Sequence, residues 1–200
     1  MMEHTVIGLF SSLSEAQRVV TELIEAGFKR SEISLIANDA SNQYARYLED
    51  RVAGEDAVKA GEGASFGAAV GALTGALVGL SALAIPGIGP VMAAGPLVAA
   101  LGGGAVGAVT GAATGGVVAT LVKTGLPEQD AQYYAEGIRR GGMLVTVNTS
   151  EDLVPRALDI MNRHGAVDIH RRAEEWKREG WTGFDANARP YDQGAARQAR

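Results

Sequence analysis

Cysteine is absent from this chain, which removes disulfides, thiolate catalysis and Cys-based metal sites and suits a reducing compartment. Histidine is nearly absent too, and His4, His164 and His170 have no partner at ligand spacing. Asp168 and His170 fall two apart on an expected strand, a spacing that more often marks a solvated face than a metal site. No basic run stands out, the formal net charge is −5 and the sequence pI is about 5.2, so a nucleic-acid partner is not expected. The N-terminus lacks a basic n-region ahead of its short apolar stretch, so it does not read as a signal peptide and is expected to stay in the cytoplasm. No Ser/His/Asp grouping is legible, and the chain is read as non-enzymatic, with no cofactor.

Charge is missing altogether from the 60 residues Gly63 to Val122. What fills that run is glycine at every fourth position: Gly63, Gly67, Gly71, Gly75 and Gly79, then Gly103, Gly107, Gly111 and Gly115. A glycine inside a helix costs about 0.8 to 1 kcal/mol relative to alanine, so such a row requires close packing to restore its stability. Between the two series, Pro86, Gly87, Gly89 and Pro90 predict a turn, and Gly95-Pro96 predicts the start of a second helix.

On a helical wheel the first series sweeps one side, while Phe66, Val70, Leu73, Leu77 and Leu80 cluster on the other. Each helix thus has a smooth contact face and a bulky one. Helices over 63–85 and 97–122 would be about 34 and 39 Å long, enough for a hydrocarbon core of about 30 Å. The apolar content of each is marginal for insertion alone, so lipid and a protein partner are both candidate covers. Gly102, Gly104 and Gly107 also satisfy GxGxxG, but no strand precedes them and no acidic residue follows at the required distance.

Around this run the chain reads as two βαβ halves. Thr5–Phe10 is a strand; Ser12 with Glu15 is a capping box opening a helix to Ala26; Ile33–Ala37 is a second strand. Met143–Val147, a helix over Ser150–His164 and a strand over Val167–Ile169 repeat the grammar. A shift of 138 positions aligns Val20 with Leu158, Leu23 with Met161 and Gly27 with Gly165. Two such halves make an α+β, ferredoxin-like βαββαβ sandwich.

The organisation expected is a first half at 1–40, a polar connecting helix at 41–62, the glycine hairpin at 63–122, a helix and the second half at 123–172, and an aromatic and charged tail at 173–200. Trp176, Trp181 and Phe184 in that tail form a candidate interface, docking on the sandwich or on a neighbouring subunit, with interfacial lipid anchoring as the rival reading. Tyr133 and Tyr134 read as core or membrane-interface aromatics, with Arg139 and Arg140 closing their helix.

GLFSSLSEAQRVVTELIEAGF followed by ISLIAND resembles the N-terminal unit of the heat-induced, general-stress protein domain of the YflT type. IPGIGPVMAAGP and RRGGMLVTV resemble glycine-zipper members of that group. The resemblance implies a bacterial stress-associated protein and carries over no catalytic residues. Together with the zipper it gives the first expectation, self-assembly through the hairpin at or in the cytoplasmic membrane, with lipid as a partner. The alternative is a cytoplasmic, soluble homo-oligomeric binding or scaffold module with the hairpin as its core.

Overall fold

A computed structural model describes residues 3–39, 81–85, 87–97 and 116–188. The elements are β1 (Glu3–Phe10), α1 (Leu13–Glu25), β2 (Ile33–Asn38), β3 (Ser81–Ile85), β4 (Gly89–Ala94), α2 (Gly116–Lys123), α3 (Glu128–Arg139), β5 (Met143–Ser150), α4 (Val154–Arg163) and α5 (Ile169–Arg178). Among the described residues, five strands form one antiparallel sheet in the order β1-β5-β2-β4-β3. The fold class is α+β.

The sheet is covered on both faces, and its sequence shows why. In β5, Met143, Val145 and Val147 face one way while Leu144 faces the other, following the two-residue period of a strand. The first set packs with Val19, Val20 and Leu23 of α1 and Ala157, Ile160 and Met161 of α4. The second set meets Leu121 of α2, Ile138 of α3 and Trp176 of α5. A strand buried on both faces needs apolar residues in succession, which is why β2 reads as a nearly continuous run with all six residues buried.

Local signals account for several boundaries. The Ser12 hydroxyl accepts from the Glu15 amide at 3.3 Å, and the Glu15 carboxylate in turn accepts from the Ser12 amide at 3.2 Å. Pro127 caps α3 from an extended conformation.

Two expectations are corrected. The first glycine-series helix does not reach Ile85, because Ser81–Ile85 is a strand paired with Gly89–Ala94. The expected turn at 86–90 therefore joins two strands, not two helices. The expected strand at Val167–Ile169 is also absent. Asp168 accepts from the Arg171 amide at 3.0 Å and opens α5, whose Ile169, Ala173 and Trp176 recur at helical spacing and are buried.

The internal repeat holds in part. Leu23 and Met161 are both buried, and Gly27 and Gly165 both close helices at positive φ. Val20 is 1% exposed, whereas its counterpart Leu158 is 44% exposed. The two halves have diverged on the α4 surface.

Candidate functional site

The zipper glycines Gly63, Gly67, Gly71, Gly75, Gly79, Gly103, Gly107, Gly111 and Gly115 lie outside the described residues, as do Pro86 and the segment 41–62. The GxGxxG positions lie outside them too. What is described is the base from which these segments leave. Ser81 opens β3 directly opposite Ala93, near the end of β4, and Ile85 lies opposite Gly89. The chain therefore enters the hairpin and leaves it at the same end of the sheet.

That end is clamped to β2. The Leu97 amide donates to the Ser34 hydroxyl at 3.0 Å, with both groups buried. A Cβ added to Gly95 would stand 2.2 Å from the Ile33 carbonyl oxygen. At the other end of the hairpin, a Cβ on Gly87 would stand 2.5 Å from the Asp185 carbonyl oxygen, so the C-terminal segment closes over this turn. Pro90 is exposed, but its carbonyl accepts from the Asp39 amide at 2.9 Å.

At its downstream end the uncharged run joins the protein core. Val117 and Leu121 of α2 are buried on the same sheet face as Val91 and Ala93. No helix among the described residues is long and apolar enough to cross a membrane.

A second concentration of chemistry lies at the end of α3. Glu136 is 1% exposed, and its carboxylate meets Arg139 Nη1 at 3.0 Å and Arg140 Nε at 2.7 Å. Arg140 extends to Glu179 at 3.1 Å, and its guanidinium lies 5.0 Å from the Trp176 ring centroid. The Asn38 amide donates to the carbonyls of Ile138 and Arg139 at 3.1 and 3.2 Å. These bonds satisfy orphan carbonyls at a helix C-terminus and tie α3 to the end of β2. The motif RRGGMLVTV is thus a helix end, a turn and a central strand.

Beside this network lies a cleft of about 370 Å³ lined by Ser11, Gly142, Val167, Arg172, Glu175 and Glu179, among others. Arg172 pairs with Glu175 at 3.4 Å, so the cleft brings matched charges rather than a field of one sign. Among the described residues, no three His, Cys, Asp or Glu side chains are placed to hold a metal.

The aromatic residues of the tail are used inside the chain. Trp176 is buried, and Trp181 and Phe184 are partly buried against the core of the α3 and α5 face. Trp176 and Trp181 lie 6.0 Å apart and Tyr133 and Trp181 5.7 Å apart between ring centroids. The Tyr133 oxygen receives Lys177 Nζ at 2.7 Å and Gln129 Nε2 at 2.5 Å. Burial and two nearby carboxylates, Asp130 and Asp168, push the Tyr134 phenol up to about 12. His170 sits edge-on to Tyr133 at 6.0 Å and does not share a strand with Asp168.

Sequence reasoning missed Glu136 as the centre of this network. Its signal was the acid three and four residues before Arg139 and Arg140, a helical ion-pair spacing. Compared with known proteins, the chain matches no family model, no curated protein and no solved structure.

Proposed function

We propose that this chain is a non-enzymatic, self-assembling protein in which the α+β base holds two glycine-spaced segments side by side for packing against each other and against a second copy. The observation that carries the proposal is the register Ser81 to Ala93, which brings the flanks of the two series to one end of the sheet. A long insertion has its closure cost reduced when its ends are already fixed, and here the β3–β4 hairpin fixes them. The base is read as a ferredoxin-like βαββαβ unit, β1-α1-β2 and β5-α4, whose last strand has given way to α5 and whose middle connection carries the insertion.

Protein is the favoured cover for the bulky faces. Residues 81–85, 87–97 and 116–122 belong to the same uncharged run, and they are taken up by the sheet and by the core beneath α2. The remaining segments of the run, 63–80 and 98–115, about 18 residues each, would reach about 27 Å as helices, short of a core of about 30 Å. The stress association comes from the YflT-type resemblance of the strand, helix and strand motifs.

Gly71→Leu with Gly111→Leu is expected to lower the native mass of the assembly in buffer. An unchanged mass in buffer and in detergent rejects assembly through the glycine series. Carbonate washing of cell membranes separates the two covers: release into the supernatant supports protein, and retention in the pellet supports the cytoplasmic membrane.

A further inference from the structure

The residues that follow α5, Gly180 to Ala188, form a strap with no helix or strand of its own. Gly180 takes φ +93° where the chain leaves α5, and the strap then crosses the α3 and α5 face to the turn between β3 and β4. Two aromatic anchors hold it down. Trp181 lies against Tyr133 and Trp176, and Phe184 packs on the same core. At its far end the strap's backbone fills the place of a side chain at Gly87, whose φ is +76°. A Cβ added there would stand 2.5 Å from the Asp185 carbonyl oxygen and 2.7 Å from the Ala186 Cα. Turn and strap are thus mated at a position that admits only glycine.

Against these contacts stands a shortage of hydrogen bonds. Among the described residues, the strap's backbone bonds stay local: the Trp181 amide donates to the Trp176 carbonyl at 2.9 Å, Asn187 to the Asp185 carboxylate at 2.8 Å and Ala188 to the Asp185 carbonyl at 3.2 Å. None of them reaches the sheet or α3. The Trp181 indole Nε1 is buried without a hydrogen-bond partner, a cost that exposure to water would relieve. The sheet beneath is held by backbone ladders, and the end of β4 is tied to β2 through Leu97 and Ser34. A segment held by side chains alone, over a body held by ladders, belongs to the part of a native structure that opens first.

We propose that residues 180–188 are a latch on the β3–β4 hairpin. The latch swings about Gly180 while the β1-β5-β2 sheet stays folded, and its opening loosens the turn that it covers. The Ile88 amide, bonded to the Ile85 carbonyl at 3.1 Å and fully buried, reports the state of that turn. The opposite end of the hairpin carries the flanks of the two glycine series, so the latch sets how firmly those flanks are held. That last consequence rests on the proposed assembly; the latch itself does not.

Native-state hydrogen exchange on the full chain tests it. The strap amides and Ile88 are expected to open together and more readily than Val145 and Val147 in the middle of β5. Phe184→Ala removes one anchor without touching the turn, and is expected to speed exchange at Ile88 about tenfold while Val145 is unchanged. The chain has two tryptophans, so Trp176→Phe leaves Trp181 as the sole reporter, and adding Phe184→Ala is expected to raise its quenching by acrylamide. Gly87→Ala, which drives a Cβ into the strap from the other side, is expected to reproduce both changes. The same responses are expected in a chain that also carries Gly71→Leu and Gly111→Leu, which separates failure of the latch from failure of the assembly. Ile88 exchange or Trp181 quenching that Phe184→Ala leaves at the parent level overturns the latch, as does an increase shared equally by Val145. Should Phe184→Ala not fold, the parent decides: a strap and an Ile88 amide that exchange only together with Val145 as urea is raised overturn it.

Discussion

Val167 donates its amide to the Leu9 carbonyl at 2.7 Å, and one residue later Asp168 caps a helix. The segment after α4 thus touches the edge of β1 for a single bond before it turns away to the opposite face of the sheet. That turn has two consequences. It supplies Ile169, Ala173 and Trp176 as a lid over α3 and the central strands. It also leaves Thr5 and Ile7 without an outer backbone partner among the described residues.

Glu136 is a buried carboxylate 1% exposed to solvent. Its carboxylate is buried between Arg139 and Arg140, and loss of that charge leaves two guanidinium groups without their shared acceptor. Removal of one partner from a buried ion pair costs about 3 to 5 kcal/mol. Glu136→Ala is expected to lower the unfolding free energy from urea titration accordingly, whereas Glu179→Ala, removing a carboxylate that is 54% exposed, is expected to lower it by less than about 1 kcal/mol. Comparable losses for the two variants would show that Glu136 does not anchor this helix end.

Gly95 tests the clamp that carries the proposed assembly. Its φ is +92°, and a Cβ there would stand 2.2 Å from the Ile33 oxygen and 2.6 Å from the Ser34 Cα, both backbone atoms. Left-handed strain and overpacking together predict a loss of about 2 to 5 kcal/mol for Gly95→Ala. Thermal unfolding measures it directly. A variant as stable as the parent would mean that β4 leaves β2 by a different path.

The first β-α-β unit was legible because its signals are local: a capping box at Ser12 and Glu15, one apolar stripe on α1, and an apolar run for a strand buried twice. β3 and β4 were not. Ser81–Ile85 and Gly89–Ala94 are small and apolar, and a short uncharged run satisfies a strand and a helix alike when tertiary pairing decides. Val167–Ile169 misled for the opposite reason, since its β-branched residues suited a strand while Asp168 and the spacing of Ile169, Ala173 and Trp176 specified a helix. The Glu136 network was hidden because it is framed by Asn38 on the Ile138 carbonyl and Trp176 against Arg140, residues about a hundred and forty positions apart in sequence.

Tyr134 gives a test of burial on the α3 face. Its phenol is pushed up to about 12, first by burial and then by Asp130 and Asp168. A raised value means that its contribution to stability is complete below the ordinary tyrosine value of 10 and is lost as pH rises from there towards 12. Subtracting the ultraviolet titration of Tyr134→Phe from that of the parent should isolate a step well above pH 10. A difference step centred at 10 would mean that the side chain is solvated.

Glu22 provides the acid counterpart on the opposite face. Its carboxylate is held below the ordinary value of 4.5, chiefly by the hydrogen bond from the His164 ring and, against the cost of burial, by the Arg163 guanidinium at 2.7 Å. A lowered value means that the contribution is present above pH 4.5 and disappears as pH falls through the folded-state value. Glu22 is partly exposed, so screening by solvent and salt reduces the effect, and low ionic strength is the condition in which to look. Melting temperatures from neutral pH down to the acid range should fall less steeply for Glu22→Gln than for the parent. His164→Ala, which removes the largest cause, should flatten the same part of the curve while leaving the Arg163 pair in place. Profiles that run parallel for all three proteins would show that the link between α1 and α4 carries no pH-dependent stability.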